Sequence, residues 1–226
     1  MKNFRAFIFF VFVYFAACVP AEDQVFTQVN DEIRNPVIQK LYDFQDKQIR
    51  DSIYPYFHHE DPSFRHRAVH AFSSFKDVES IDSIANLLMD PIPEVRAAAA
   101  YALGQIGDTL AEPILIHAFN NQDTVDINNA VQAAILEAIG KCGTKESLML
   151  FSQVSTYKPE DDHLLLGLTK GIYRFALRGI TVEAGTEKMI AFVSNEDMPE
   201  SVRFIAANYL FRAKDVDVSE QKFQLS

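Results

Sequence analysis

The chain has 226 residues, 48% of them hydrophobic, with 31 acidic against 21 basic residues and a net charge of −10. That is enough chain for one core of ordinary size, and the acidic balance excludes a protein that holds nucleic acid or anionic headgroups by surface charge. Two cysteines, Cys18 and Cys142, exclude a disulfide framework and a cysteine-based zinc site.

The N-terminus opens with Lys2 and Arg5, continues as an apolar run over residues 6–17, and closes on Ala16-Ala17-Cys18. About a dozen apolar residues are too few to span a bilayer comfortably, and they match the apolar centre of a secretory signal. Phe15-Ala16-Ala17-Cys18 resembles a lipobox, where bacterial lipoprotein signal peptidase cuts before a lipid-modified cysteine. Phe15 stands where Leu, Val or Ile is usual. The resemblance implies a leader at residues 1–17, acylation of Cys18, attachment to the membrane through that lipid, and a place in the bacterial cell envelope, at the outer membrane. The same segment also fits an ordinary secreted protein cut near Ala17 or Ala21, or an uncleaved anchor. Cleavage before Cys18 removes two basic residues and no acid, which takes the net charge from −10 to −12. Residues 18–30, with Glu22 and Asp23, read as a short acidic tether.

From Pro36 the pattern is helical. Val37, Leu41, Phe44 and Gln48 fall at three- and four-residue intervals, and Pro36 suits a first turn. An apolar cluster, Ile53 to Phe57, follows across Pro55. This stretch matches what comes later poorly, as a terminal cap does. Pro62-Ser63-Phe64-Arg65 then returns as Pro93-Glu94-Val95-Arg96, 31 residues on. In that register Ala68 meets Ala99, Ala71 meets Ala102, Phe72 meets Leu103, Phe75 meets Ile106 and Asp77 meets Asp108. Matches of like kind in one register mean an internal repeat. A third copy begins near Asp126, and in it Ala138-Ile139-Gly140-Lys141-Cys142-Gly143 echoes Ala102-Leu103-Gly104-Gln105-Ile106-Gly107 at an offset of 36, which implies an insertion at residues 120–126. A looser fourth spans Leu164 to Leu177 and Glu187 to Val193, and a fifth opens at Glu200-Ser201-Val202-Arg203. Residues 215–226 are polar and leave its second helix in doubt.

Each copy reads as two helices. In the second, Pro93 and Glu94 suit a helix start, Gly104 and Gly107 its end, and Asp108 or Thr109 caps the next helix with Glu112 completing a capping box. One such pair cannot bury its own apolar face, whereas stacked pairs share a core. The expectation is an all-α protein, an α-solenoid of about four to five helical hairpins over residues 31–226.

The run Glu94-Val95-Arg96-Ala97-Ala98-Ala99-Ala100-Tyr101-Ala102-Leu103-Gly104-Gln105-Ile106-Gly107-Asp108 resembles a HEAT repeat, of the short bacterial type called the phycobilisome-lyase HEAT-like repeat. The resemblance is strong from Pro62 to Phe119, fair to Phe151 and weak to Leu210. It implies a scaffold or adaptor that binds another protein, without a cofactor and as a monomer. It also implies that Arg65, Arg96 and Arg203, which share one repeat position, are structural arginines paired with acids such as Asp61, Asp90 and Glu200. The order of lipobox, acidic tether and repeats further resembles the front of bacterial lipoproteins that carry a cyclophilin-type peptidyl-prolyl isomerase domain, a likeness that Asn208-Tyr209-Leu210 continues. None of the cyclophilin catalytic motif is present, so that activity needs a domain beyond Ser226. A chromophore lyase is suggested only by the repeat's name, and a HEAT-type DNA glycosylase is opposed by the acidic charge.

Two groups of residues carry chemical interest. His58, His59, His66 and His70 form a cluster in which His66 and His70 stand i, i+4 on one helix, opposite the stripe of Ala68, Ala71, Phe72 and Phe75. That spacing is open to a metal, but no acid stands where a zinc protease motif needs one, and a solvated face is the simpler expectation. Lys170, Arg174 and Arg178, with Tyr173 adjacent, form a basic stripe that fits an acidic partner strand or an anion. The bland alternative is a helix face paired with acids of the next repeat. Gly167 and Gly171 on the same helix point to tight packing, and Cys142 to a small buried hydrophobe. No nucleophile–histidine–acid motif and no standout carboxylate pair is found, so the expectation is a protein without catalytic or metal-binding residues.

Overall fold

The structure, a computed structural model, describes residues 28–30, 32–121 and 128–213. The leader with Cys18, most of the tether, most of the inserted segment and the tail after Ala213 lie outside the described residues. The described residues form helices and no strands: α1 (Pro36–Asp46), α2 (Pro62–Phe75), α3 (Ile81–Ala85), α4 (Pro93–Ile106), α5 (Ala111–Asn121), α6 (Asn129–Cys142), α7 (Lys145–Gln153), α8 (Asp162–Leu177), α9 (Glu183–Ser194) and α10 (Glu200–Arg212), with 3₁₀ turns at Arg50–Ser52, Tyr54–His58, Val78–Ser80 and Asn86–Met89.

The helix starts are written in the sequence. Pro36, Pro62 and Pro93 each open a helix, where the missing N–H costs nothing. Asn35 accepts from the Val37 N–H at 2.9 Å, Asp61 from the Ser63 N–H at 2.8 Å, and Asn128 from the N–H groups of Ala130 and Val131. Gly107 ends α4 in the left-handed region at φ 75°.

Helices α1, α2, α4, α6, α8 and α10 stack in that order as one layer. The Tyr54–His58 turn lies behind α2, and α3, α5, α7 and α9 pack behind α4, α6, α8 and α10. Each second helix therefore braces the hairpin that follows it. This stitching gives the solenoid one continuous core: Phe72, Leu103, Ile139 and Phe175 from the first layer meet Ile84, Leu115, Leu148 and Met189 from the second. The Ala98–Ala100 run and Ala102 are buried because α4 has neighbours on both flanks and behind. Small side chains permit that three-sided approach, and they leave α4 without a clear polar face.

Three expectations change. Helix α1 stops at Asp46, and Gln48 takes φ 58° in the turn, so it leaves the stripe that Ile38 and Leu41 bury. The second half of the first repeat is a broken chain of 3₁₀ turn, α3 and 3₁₀ turn. Gly104 does not end α4; it faces α6, where a Cβ would stand 2.8 Å from the Ala138 Cα. Closest of all is the α6–α8 crossing. A Cβ on Gly140 would lie 2.3 Å from the Gly171 carbonyl oxygen, and one on Gly167 would lie 2.5 Å from the Ala133 Cα. The reading of Gly167 and Gly171 as packing residues agrees with this. At the N-terminal edge Val29 packs on the core and the Asn30 N–H donates to Ser63 Oγ at 2.8 Å, so the last residues of the predicted tether dock on α2.

Candidate functional site

Helix α8 places Lys170 and Arg174 one turn apart, facing α6 across the Gly167–Ala133 and Gly171–Gly140 contacts. There they meet Glu137. Arg174 donates to Glu137 Oε1 from Nε at 3.0 Å and from Nη2 at 2.8 Å, and Lys170 Nζ stands 3.4 Å from Oε2. Lys141, one turn along α6, adds a third cation 3.4 Å from Oε1. One carboxylate thus serves three cations. Burial pulls the Glu137 carboxyl up, but the Arg174 hydrogen bonds together with Lys141 and Lys170 more than reverse it and leave its pKa below the ordinary value. Burial holds the Lys141 ammonium below its usual value, and Arg174 and Lys170 add to this against the pull of Glu137.

The cluster borders a cavity of about 240 Å³ between α6 and α8, floored by Ala133, Ala134, Leu166 and Gly167, with His163 at its far end. It also continues across the first layer. Lys141 Nζ lies 4.8 Å from the centre of the Tyr101 ring on α4. Tyr101 in turn lies 5.0 Å from the His70 ring on α2, and His70 lies 5.4 Å from His66. A seam of polar and aromatic side chains therefore crosses four consecutive helices.

The structure divides the predicted basic stripe. Lys170 and Arg174 act together on Glu137, an acid of the preceding hairpin, not of the next repeat. Arg178 instead donates to the Gly143 carbonyl at 2.7 Å and the Gly140 carbonyl at 3.3 Å, where a cation complements the C-terminal end of α6. Tyr173 packs against the core. Lys141, Glu137 and Tyr101 were missed, because their approach depends on how far neighbouring helices slide past one another.

The three repeat arginines also separate. Arg65 makes a two-pronged pair with Asp90, Nε–Oδ2 2.7 Å and Nη2–Oδ1 2.9 Å, and donates to the carbonyls of His59 and Glu60. Asp90 also accepts from the Ile92 N–H at 2.9 Å, so it shapes the turn into α4. Asp61 caps its own helix. Arg96 donates to the carbonyls of Asp90 and Pro91, and Arg203 to that of Val193 at 3.3 Å. Glu112, expected in a capping box of α5, reaches instead to the next hairpin, accepting from the Thr144 N–H at 2.8 Å and hydroxyl at 3.0 Å.

His66 and His70 share a face, as their spacing predicts, yet they are half-buried in the α2–α4 seam and not simply solvated. His59 packs on Phe64 at 4.7 Å and accepts from the Asp61 N–H. Among the described residues no group of three or more histidines, cysteines and acids converges as a metal site. Cys142 is buried at the end of α6, with its thiol pushed up to about 12 by burial and by Glu112.

This architecture agrees with what the comparisons return. HEAT repeats match residues 55–133 and again residues 84–163. The two matches together span residues 55–163, 109 of the chain's 226. Similar solved structures include the complex of CpcE and CpcF of phycocyanin lyase from Nostoc sp. PCC7120, at a TM-score of 0.52 and 16% identity, over 91% of this chain and 95% of that one. At that identity the likeness concerns the fold. No curated protein matches the chain. Among the described residues no helix is long and apolar enough to cross a membrane.

Proposed function

We propose that this HEAT-repeat solenoid is a protein-binding scaffold, held at the bacterial envelope through lipidated Cys18. The observation that carries the binding role is the cation cluster on α6 and α8. Three cations share one carboxylate in an acidic protein, above the glycine contacts where the two helices approach closely. Solenoids expose long repeated surfaces on which such groups act side by side. The Nostoc neighbour is a complex of CpcE and CpcF, in keeping with association as a use of this architecture. Its lyase activity belongs to that protein. The envelope location rests on Lys2, Arg5, the apolar run and Phe15-Ala16-Ala17-Cys18.

The test has two arms. Cys18→Ala should move the protein from the membrane fraction to the soluble fraction; retention on membranes rejects the lipid anchor. Replacing Lys170 and Arg174 by Glu should reduce recovery of cross-linked partner from cells while circular dichroism keeps the helical signal. Unchanged recovery rejects this surface as the partner site.

A further inference from the structure

We infer that the seam across α2, α4, α6 and α8 holds an extended acidic peptide segment of the partner, with its carboxylates at Lys141, Lys170 and Arg174 and its neighbouring residues over Tyr101 and His70. This rests on the protein-binding reading above and names the partner's chemistry.

The donor count at the cluster is the first reason. Glu137 has two carboxylate oxygens. Oε1 already takes both Arg174 contacts and Lys141, and Oε2 takes Lys170. An ammonium carries three donors and a guanidinium five, so donors exceed what this acid accepts. Lys170 and Arg174 are each 38% exposed, which leaves them open to an incoming group, whereas Lys141 at 14% is shielded enough for its charge to be felt. A second carboxylate at this point relieves the repulsion among the three cations.

The second reason is shape. The cavity beside Lys170 is floored by alanine, leucine and glycine, and it accepts a small apolar side chain next to the carboxylate. The third is continuity. From Arg174 to His66 the seam spans three helix-to-helix steps of about 8–10 Å each, the length of about eight residues of extended chain at about 3.3 Å per residue. In an extended segment alternate side chains share a face. Carboxylates every second residue then lie along the cationic end of the seam, and Tyr101, 37% exposed, borders whatever follows.

The test is fluorescence anisotropy of the whole chain with a labelled nonapeptide that alternates glutamate and alanine. The same peptide with glutamine for glutamate is the control, and inorganic phosphate is the competitor. Saturable binding of the acidic peptide is expected, weaker by about tenfold or more for the glutamine peptide and for the Lys170→Met, Arg174→Gln variant, since each lost charge-assisted contact is of the order that changes affinity tenfold. Tyr101→Ala is expected to weaken it severalfold. Glu137→Gln is the decisive variant. Freeing three cations from their resident carboxylate should strengthen acidic-peptide binding severalfold, an effect that loss of packing does not imitate. Absence of saturable binding, equal binding of the glutamine peptide, or weakening by Glu137→Gln overturns the inference. Displacement by phosphate at concentrations equal to those of the peptide overturns it too, by reducing the seam to a simple anion site. If the peptide fails while Lys170 and Arg174 still govern partner recovery, the scaffold reading stands and only the acidic segment is rejected.

Discussion

Two seams of the same solenoid use charge in opposite ways. At the turn into α4, Arg65 meets Asp90 one to one, 12% and 4% exposed, with Nη1 donating to two carbonyls. Between α6 and α8, Glu137 meets three cations, two of them well exposed. The first seam is closed: one cation meets one carboxylate, and the pair fixes how one hairpin follows the next. The second is under-neutralised, and tight packing below it is supplied by glycines. A solenoid's repeats share one fold, but charge balance separates the positions that build it from those left free to bind.

Breaking the closed seam should have the largest effect. Asp90→Ala strands a buried guanidinium and frees the Ile92 N–H, and is expected to cost about 3 kcal/mol or more, read as a fall in the urea midpoint. Next comes the floor of the open seam. Gly140→Ala drives a Cβ into the Gly171 backbone, and overpacking of this kind costs about 1–3 kcal/mol; a variant as stable as the parent rejects the close approach. Glu137→Gln should cost only about 1 kcal/mol, because water screens the exposed cations. Its pH signature sharpens the contrast. Glu137 has a native pKa below the ordinary 4.5, so its contribution is present above that value and is lost as pH falls through the lowered native pKa. The parent should therefore lose melting temperature faster than Glu137→Gln on acidification below about pH 4.5. The smallest effect concerns Cys142, at the end of α6. With its thiol raised from 9.0 to about 12, the neutral form favours the fold up to about pH 9, and that contribution fades as pH climbs toward 12. At pH 8 the native thiol should react with a disulfide reagent far more slowly than in the unfolded chain.

Much of this architecture was legible in one dimension. The 31-residue register of Arg65 with Arg96 and of Phe72 with Leu103 gave the hairpins, and the prolines at 36, 62 and 93 gave the starts of α1, α2 and α4. The broken second half of the first repeat was not legible, since short apolar runs do not separate an α-helix from 3₁₀ turns. The site was half legible. The i, i+4 spacing placed Lys170 and Arg174 on one face, but by the same spacing it grouped Arg178 with them, and Arg178 turns to the end of α6. No spacing within α8 could name Glu137 or Lys141, which stand more than 25 residues before Lys170.

The sequence by itself determined most of the helical segments, where several of them begin, and that the hairpins must stack, because periodic apolar residues and helix caps are local signals and an unburied stripe demands a neighbour. Only the tertiary structure decided which side chains meet between hairpins. Helices α6 and α8 slide until Gly140 reaches Gly171, and that contact, set by packing across 31 residues of chain, brings three cations to one carboxylate.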